Sequence, residues 1–160
     1  MPKNEGRAHP SGEKPSPVRK KERNVASILV IDDDANIRAL LRRWLERDGY
    51  SVIEAEDGEV GIRVFREHLP EVVITDIIMP HKEGLETIMD LHREFPGAQI
   101  IAISGGGKVM SGNACLHLAS RLGAVRAFSK PLEMPKLLEA IRELLSSQEA
   151  PNPAKQGPPS

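Results

Sequence analysis

Five short apolar runs alternate with longer amphipathic segments through the middle of the chain, and this alternation constrains the fold more than any other feature. Strands that alternate with helices form a parallel sheet covered by helices on both faces. The pattern therefore predicts an α/β fold, a doubly wound five-stranded parallel sheet built as (βα)5. The predicted strands are residues 27–32, 51–55, 72–76, 99–104 and 126–129.

The segments between the strands have the apolar spacing of helices. In helix one, apolar residues recur at i, i+3, i+4, i+7 and i+8, which predicts one continuous buried face. These residues are Ile37, Leu40, Leu41, Trp44 and Leu45. Helix two is predicted from near residue 58, helix three over 83–95, helix four over 112–122 and helix five from near residue 134. Helix five is predicted to bury Leu137, Leu138, Ile141 and Leu145.

Composition separates one folded domain from two tails. Residues 1–24 are rich in Pro, Gly, Ser, Lys and Glu, and their seven Lys/Arg against three Glu give a charge of +4. Residues 147–160 are similarly rich in Pro and polar residues. Because neither stretch has apolar periodicity, we expect two disordered tails, the first of them basic, around a folded domain at 25–146.

Charge and cysteine content exclude several classes of protein. The predicted domain carries 14 Lys/Arg against 19 Asp/Glu, a charge of -5. A nucleic-acid-binding domain would gather positive charge on its folded face, so we predict no nucleic-acid partner. A single cysteine excludes an internal disulfide and fits a reducing compartment. No apolar run approaches the roughly 18 residues of a membrane span, and the N-terminus lacks the apolar segment of a secretory signal. We therefore expect a cytoplasmic protein without a membrane partner.

Polar residues gather where the predicted strands end. Asp32 and Asp33 follow strand one, Asp76 ends strand three, Ser104 ends strand four and Lys130 follows strand five. In parallel sheets, ligands bind beyond these carboxyl ends. Clustered carboxylates suit Mg²⁺, a carboxylate such as Asp76 can act as a nucleophile, and a lysine and a hydroxyl can contact phosphoryl oxygens.

Each of these polar residues also has a plain structural interpretation. Asp34, three residues before Ile37, is best read as a helix N-cap. Taken singly, Ser104 could be a loop hydroxyl, Lys130 a surface lysine and Asp32 a solvated strand end. It is their conjunction at four strand ends that favours a functional site.

Four stretches identify a family. ILVIDDDANIRALL, VVITDIIMPHKEGLE, IIAISGGG and AFSKP resemble the receiver domain of two-component response regulators, over about residues 26–146. The resemblance implies a flavodoxin-like fold with strand order 2-1-3-4-5. It also implies that Asp76 accepts a phosphoryl group from a sensor histidine kinase.

The resemblance also assigns the neighbouring residues. Asp32 and Asp33 match the acidic pair that holds Mg²⁺ together with Asp76 and the backbone carbonyl of Ile78. Ser104 matches the family's switch hydroxyl. Lys130 matches the lysine that pairs with the phosphorylated aspartate, and its bond to Pro131 is expected to be cis.

Two features depart from the family pattern. The aromatic residue that the family places three positions before the lysine is replaced by Ala127. Phe128 follows at the next position, where alternation along a strand predicts that it points the other way, into the core. The passage from strand four into helix four, SGGGKVMSGNACLH, is a few residues longer than in the family, which indicates either a reshaped output face or a passive insertion.

The favoured function is a stand-alone response regulator similar to the chemotaxis regulators, rather than an enzyme acting on other molecules. Its target is expected to be a protein that binds the face formed by helix four, strand five and helix five. Three alternatives remain open: a phosphorelay intermediate that passes its phosphoryl group to a histidine phosphotransfer protein, an aspartyl-phosphate hydrolase, and a binding module that is never phosphorylated. The hydrolase is disfavoured because Ile78 stands where such enzymes carry a second aspartate.

Overall fold

The sheet in the computed structural model has five parallel strands in the order β2-β1-β3-β4-β5, as expected. The structure describes residues 25–79, 84–105 and 112–149, without the side chains of residues 112, 113, 115 and 149. The strands are β1 (Ser27–Ile31), β2 (Ser51–Ala55), β3 (Val72–Asp76), β4 (Gln99–Ser104) and β5 (Arg126–Ser129). The helices are α1 (Ala35–Arg47), α2 (Gly58–His68), α3 (Gly84–Glu94), α4 (Gly112–Leu122) and α5 (Met134–Glu149).

The sheet separates two apolar cores, because successive side chains of a strand point to opposite faces. Leu29 and Ile31 of β1 contact the core beneath α2, α3 and α4. Ile28 and Val30 of the same strand contact the core beneath α1 and α5. Both faces of β1 and β3 are therefore buried, and this explains why residues 28–31 and 72–74 of the two strands are all apolar.

The buried face of α1 is narrower than the sequence predicts. Leu41 and Leu45 are buried, and Ile37 packs against the same core. Leu40 is 43% exposed and Trp44 38% exposed, so the prediction of one continuous buried face was wrong for these two. Successive residues of a helix are about 100° apart, so residues 37, 41 and 45 point at the sheet while residues 40 and 44 lie on the flank.

The last helix extends beyond the predicted domain boundary. α5 continues to Glu149, three residues past the predicted end at 146, and Gln148 Nε2 donates a hydrogen bond to the Glu71 carbonyl at 3.3 Å. Leu137, Leu138 and Ile141 are buried as predicted, whereas Leu144 is buried and Leu145 only partly so. The predicted tail over 1–24, the rest of the C-terminal tail and most of the loop after β4 lie outside the described residues.

Candidate functional site

The strand register brings the predicted polar residues to one edge of the sheet. β1 and β3 pair Ile31 with Thr75, so the next residues along, Asp32 and Asp76, lie side by side. β4 and β5 pair Ser104 with Ser129, and Lys130 comes next. Because β3 lies between β1 and β4, Asp76 occupies the centre of this edge.

Asp76 is a buried carboxylate with a cation beside it. Its side chain ends β3 and the residue is 6% exposed. Lys130 Nζ lies 3.2 Å from Asp76 Oδ2, and the backbone N–H of Ile78 donates to Asp76 Oδ1 at 3.2 Å. Burial raises the pKa of Asp76 above its ordinary value, although Lys130 and the Ile78 hydrogen bond act to lower it.

Asp32 shares this environment, whereas Asp33 faces solvent. Asp32 is 3% exposed, and Asp33 is exposed. Asp32 Oδ1 accepts a hydrogen bond from the Asp34 N–H at 2.9 Å, and Asp32 Oδ2 lies 3.5 Å from Lys130 Nζ. Burial is the largest cause that raises the pKa of Asp32, and repulsion from Asp76 and Asp33 adds to it.

The three carboxylates fit a divalent cation by their spacing and chemistry. One oxygen from each of Asp32, Asp33 and Asp76 lies within 4.8 Å of the others. Carboxylate oxygens are the ligands that Mg²⁺ prefers, with water completing its octahedral coordination, and exposed Asp33 leaves the cluster open to solvent. Ile78 also lies here, through its hydrogen bond to Asp76.

Lys130 contacts both the buried aspartates and the end of β4. Burial alone would lower the pKa of Lys130, but the charges of Asp76 and Asp32 and its hydrogen bonds to them raise it, so the ammonium stays charged. Its backbone N–H donates to the Ser104 carbonyl at 2.9 Å. The Lys130–Pro131 bond is cis, as the resemblance implies.

Ser104 ends β4 with its side chain buried at 1% exposure. Its carbonyl is the acceptor for the Lys130 N–H, so the main chain joins the predicted hydroxyl to the predicted lysine. The structure therefore brings all the predicted site residues to one edge of the sheet.

The two residues before Ser129 lie as alternation predicts. Ala127 contacts the core beneath α2, α3 and α4, whereas Phe128 contacts the core beneath α1 and α5. Ala127 pairs in register with Ala102 of β4, so two small side chains adjoin on the face of the sheet that α4 covers. Phe128 does not take the place of the missing aromatic residue.

Asp34 has the structural role predicted for it. Its side chain accepts a hydrogen bond from the Asn36 N–H at 2.8 Å and caps α1. It is therefore no part of the carboxylate cluster, which consists of Asp32, Asp33 and Asp76 among the described residues.

Gly84 is a site residue that the sequence reading missed. Its N–H donates to the Ile77 carbonyl at 2.8 Å. A Cβ on Gly84 would overlap the Asp76 carbonyl oxygen and lie 2.5 Å from Ile77 Cα. The signal was a glycine, a poor helix former, at the first position of α3, eight residues after Asp76.

Comparison with known proteins agrees with this geometry. Residues 28–142 match the family model of the response regulator receiver domain. The chain is 30% identical to the chemotaxis protein CheY of Halobacterium salinarum over 120 residues, which is 75% of this chain and 97% of that protein. It spans only 27% of the length of the first curated relatives, which are longer transcriptional regulatory proteins of Escherichia coli.

Solved structures show the same fold. The receiver domain protein of Clostridium thermocellum superposes with a TM-score of 0.72 at 31% identity, covering 78% of this chain and 98% of that one. The response regulator TrrA of Thermotoga maritima, solved in complex with Mg(2+)-BeF, gives a TM-score of 0.66 at 31% identity over 75% of this chain and 99% of that one.

None of the described helices is long and apolar enough to cross a membrane. The fold, the acidic edge and the match over residues 28–142 lead to one assignment. The chain belongs to the response regulator receiver domain family of two-component systems.

Proposed function

We propose that this receiver domain accepts a phosphoryl group on Asp76 from the phosphohistidine of a sensor histidine kinase. The observation that carries the proposal is the position of Asp76, a buried carboxylate at the centre of the sheet edge, 3.2 Å from Lys130 Nζ and beside two further aspartates. Receiver domains are signalling modules and in general not enzymes, so we propose that the only chemistry of this chain is its own phosphorylation and dephosphorylation.

The proposed step transfers one phosphoryl group. A carboxylate oxygen of Asp76 attacks phosphorus, and the bond from phosphorus to the imidazole nitrogen breaks. The electron pair stays on that nitrogen, which takes a proton from solvent, and the product is an acyl phosphate on Asp76. Burial raises the pKa of Asp76 and Lys130 acts to lower it, so positive charge beside this carboxylate favours its ionised, nucleophilic form.

Receiver domains bind Mg²⁺ through an acidic cluster, and we propose that Asp32, Asp33, Asp76 and the Ile78 backbone carbonyl hold it here. The donor set and the 4.8 Å spacing of the three carboxylates support this assignment. Mg²⁺ would supply positive charge to the phosphoryl oxygens. The response regulator TrrA was solved in complex with Mg(2+)-BeF, so a protein of this fold accommodates such a ligand.

We propose that Lys130 and Ser104 contact the phosphoryl oxygens after transfer. Lys130 already lies within hydrogen-bonding distance of Asp76, and its N–H bonds the Ser104 carbonyl. Once Asp76 is an acyl phosphate it is no longer a carboxylate, and the phosphoryl oxygens would take its place as partners of the Lys130 ammonium. The main-chain link would carry any movement of Lys130 to the end of β4.

The output is proposed to be a protein contact on the face formed by α4, β5 and α5. Lys130 directly follows β5, and Ser104 lies on β4 beside it, so both proposed phosphoryl ligands adjoin this face. Phosphorylation would shift an equilibrium between conformations of the face.

The near end-to-end match to the Halobacterium protein supports a receiver that acts as a single folded unit. We place it in the cytoplasm because a single cysteine suits a reducing compartment, and we propose neither nucleic acid nor a membrane as partner.

The hydrolase alternative has no support at Ile78. Its side chain is apolar and its backbone N–H is bonded to Asp76 Oδ1. No acid or base is available at this position to protonate a leaving group. Sustained turnover of a phosphate ester is therefore not expected.

Acetyl phosphate is a suitable donor for the test. The protein is incubated with acetyl phosphate in Mg²⁺ or in EDTA, and its intact mass is measured. We expect a gain of one phosphoryl group in Mg²⁺ that disappears in Asp76→Asn. Asp34→Asn is the matched control and should gain mass like the wild type, since Asp34 only caps α1.

A histidine kinase carrying a radiolabelled phosphohistidine provides the second arm. Transfer of label to the wild type and not to Asp76→Asn supports the proposal, and onward loss of label to a histidine phosphotransfer protein would identify a phosphorelay intermediate. No modification of the wild type by either donor would refute the proposed function and leave the unphosphorylated binding module.

A further inference from the structure

Arg38 binds the backbone between the two aspartates of the acidic pair. Arg38 is on the first turn of α1, and its side chain is 17% exposed. Its Nη1 donates to the Asp32 carbonyl oxygen at 2.7 Å, and its Nε donates to Glu54 Oε1 at 3.1 Å. We propose that Arg38, anchored by Glu54, is a positioning residue that orients Asp33 for Mg²⁺; the inference rests on the metal site of the proposed function.

The Asp32 carbonyl belongs to the peptide group that leads into Asp33. The carbonyl group of one residue and the nitrogen and Cα of the next lie in one rigid plane. A bond that fixes the Asp32 carbonyl therefore fixes the backbone from which the Asp33 side chain projects. The opposite side of Asp32 is also held, since its N–H donates to the Ala55 carbonyl at 3.2 Å.

Asp33 depends on its backbone for its position. Asp32 is fixed by burial and by the hydrogen bond from Asp34. Asp33 is exposed, and its carboxylate accepts no hydrogen bond from another residue in the described ranges. Its carboxylate nevertheless lies within 4.8 Å of those of Asp32 and Asp76, so the orientation of its peptide decides whether it reaches a shared cation.

Glu54 explains why Arg38 is held in place. It is on β2 opposite Val30 of β1, and its two carboxylate oxygens accept from Arg38 at 3.1 Å and from Arg42 at 2.7 Å. The planar guanidinium of arginine can serve two acceptors in fixed geometry, which the single ammonium of lysine does not. Glu54 thereby connects β2, an outer strand, to the acidic pair that follows β1.

Arg42 provides a matched control within the same cluster. It shares Glu54 with Arg38, and its other hydrogen bonds go to the Val52 carbonyl at 3.2 Å and to Glu46 at 3.0 Å. It makes no hydrogen bond or ion pair with Asp32. Replacing Arg42 removes the same charge and one Glu54 ion pair while the bond to the acidic pair remains.

The direction in which replacing Arg38 changes Mg²⁺ affinity distinguishes a positioning role from a simple electrostatic one. Loss of a positive charge near a cation site would strengthen Mg²⁺ binding by relieving repulsion. Loss of a positioning contact weakens binding, by about 10- to 100-fold for residues that orient metal ligands. Arg38→Lys keeps the charge and loses the planar fork, so it isolates the positioning effect.

The first measurement is the Mg²⁺ dissociation constant by isothermal titration calorimetry. We expect Arg38→Lys and Arg38→Gln to raise it about 10-fold, and Arg42→Lys and Arg42→Gln to change it less than about 2-fold, since Arg42 touches no ligand. Glu54→Gln should also weaken binding. The double variant Arg38→Gln/Glu54→Gln should bind Mg²⁺ no more weakly than Arg38→Gln alone, because Arg38 and Glu54 act through one contact.

The second measurement needs no metal. Amide chemical shifts and hydrogen exchange of Asp33 and Asp34 in EDTA report the backbone that Arg38 holds. They should change in the Arg38 variants and in Glu54→Gln but not in the Arg42 variants. If Arg38 only stabilised the fold in general, its variants would lower the free energy of unfolding, but the Asp33 and Asp34 amides would not differ between the Arg38 and Arg42 variants.

The outcomes are distinct. Mg²⁺ binding of the Arg38 variants equal to or tighter than wild type overturns the positioning role, as does an effect shared equally by the Arg42 variants. If the wild type binds no Mg²⁺, the metal site of the proposed function fails, while the metal-free amide shifts still decide whether Arg38 orients Asp33. If Arg38→Gln does not fold, Arg38→Lys carries the same comparison, because it keeps the charge and loses only the planar fork.

Discussion

Asp32 and Asp76 are two nearly buried carboxylates that share one neighbouring ammonium, that of Lys130. Burial raises the pKa of both aspartates, so the folded state binds their protons more tightly than the unfolded chain does. Stability therefore falls as pH rises from the ordinary value of 3.8 through the raised pKa values. The pKa of Lys130 is also raised, so its contribution to stability persists through neutral pH and is lost only in strong alkali.

Asp76→Asn should stabilise the metal-free protein at neutral pH. The amide removes a desolvated charge, and we expect a gain of about 0.5–2 kcal/mol in the free energy of unfolding, typical of a single stabilising change. The gain should shrink as the pH falls through the raised pKa of the wild-type carboxyl, where that carboxyl becomes protonated. Urea denaturation in EDTA across this range measures it, with exposed Asp34→Asn as control because asparagine caps a helix equally well. A destabilised Asp76→Asn would show that the Lys130 pair outweighs the cost of burial.

The position of Asp76 also depends on Gly84. In Gly84→Ala, the new Cβ would overlap the Asp76 carbonyl oxygen, so α3 or the end of β3 has to shift. We expect a loss of about 1–3 kcal/mol, the usual cost of overpacking. Gly97→Ala is the control, since a Cβ there has no heavy atom within 4 Å. Chemical denaturation compares the two, and equal effects would contradict a specific role for Gly84.

At the scale of elements, α1 serves both the core and the acidic edge. Leu41 and Leu45 pack on the sheet, Asp34 caps the first turn, and Arg38 reaches the Asp32 carbonyl. The packing of α1 therefore determines where Arg38 can reach. Helical spacing predicted that these residues form a helix but overestimated its buried width, because the interhelical and sheet contacts that select a face are not encoded in periodicity alone.

Adjacent leucines of α1 should differ sharply in their effect on stability. Leu41 is 1% exposed and Leu40 is 43% exposed. Leu41→Ala leaves a cavity against the sheet, and we expect a cost of about 2–5 kcal/mol. Leu40→Ala on the flank should change stability by about 0.5 kcal/mol or less, as for most surface substitutions. The midpoint and slope of urea denaturation measure both, and similar costs would contradict the observed orientation of α1.

At the scale of the whole molecule, the sequence predicted the sheet and the residues at its edge because two strong signals agree. Apolar runs such as Val72–Asp76 alternate with amphipathic helices, and their polar residues come where the strands end. Contacts that depend on tertiary geometry could not be predicted in the same way. The approach of Gly84 to the Asp76 carbonyl and the hydrogen bond from the Arg38 side chain to the Asp32 carbonyl each involve a backbone oxygen, and such contacts leave little trace in residue type.

The acidic edge should couple cation binding to the stability of the whole domain. A ligand that binds only the folded state raises the free energy of unfolding by about 2.7 kcal/mol at 100 times its dissociation constant. Mg²⁺ bound as proposed would meet this condition, because Asp32 and Asp33 follow β1 and Asp76 ends β3, so the three carboxylates converge only in the folded sheet. We therefore expect the thermal midpoint to rise with Mg²⁺ at constant ionic strength, which separates binding from general screening. Asp33→Asn, which alters the exposed ligand and leaves both cores intact, should lose most of this rise, whereas Asp34→Asn should keep it. An equal rise in Asp33→Asn would mean that Mg²⁺ stabilises the domain somewhere other than this edge.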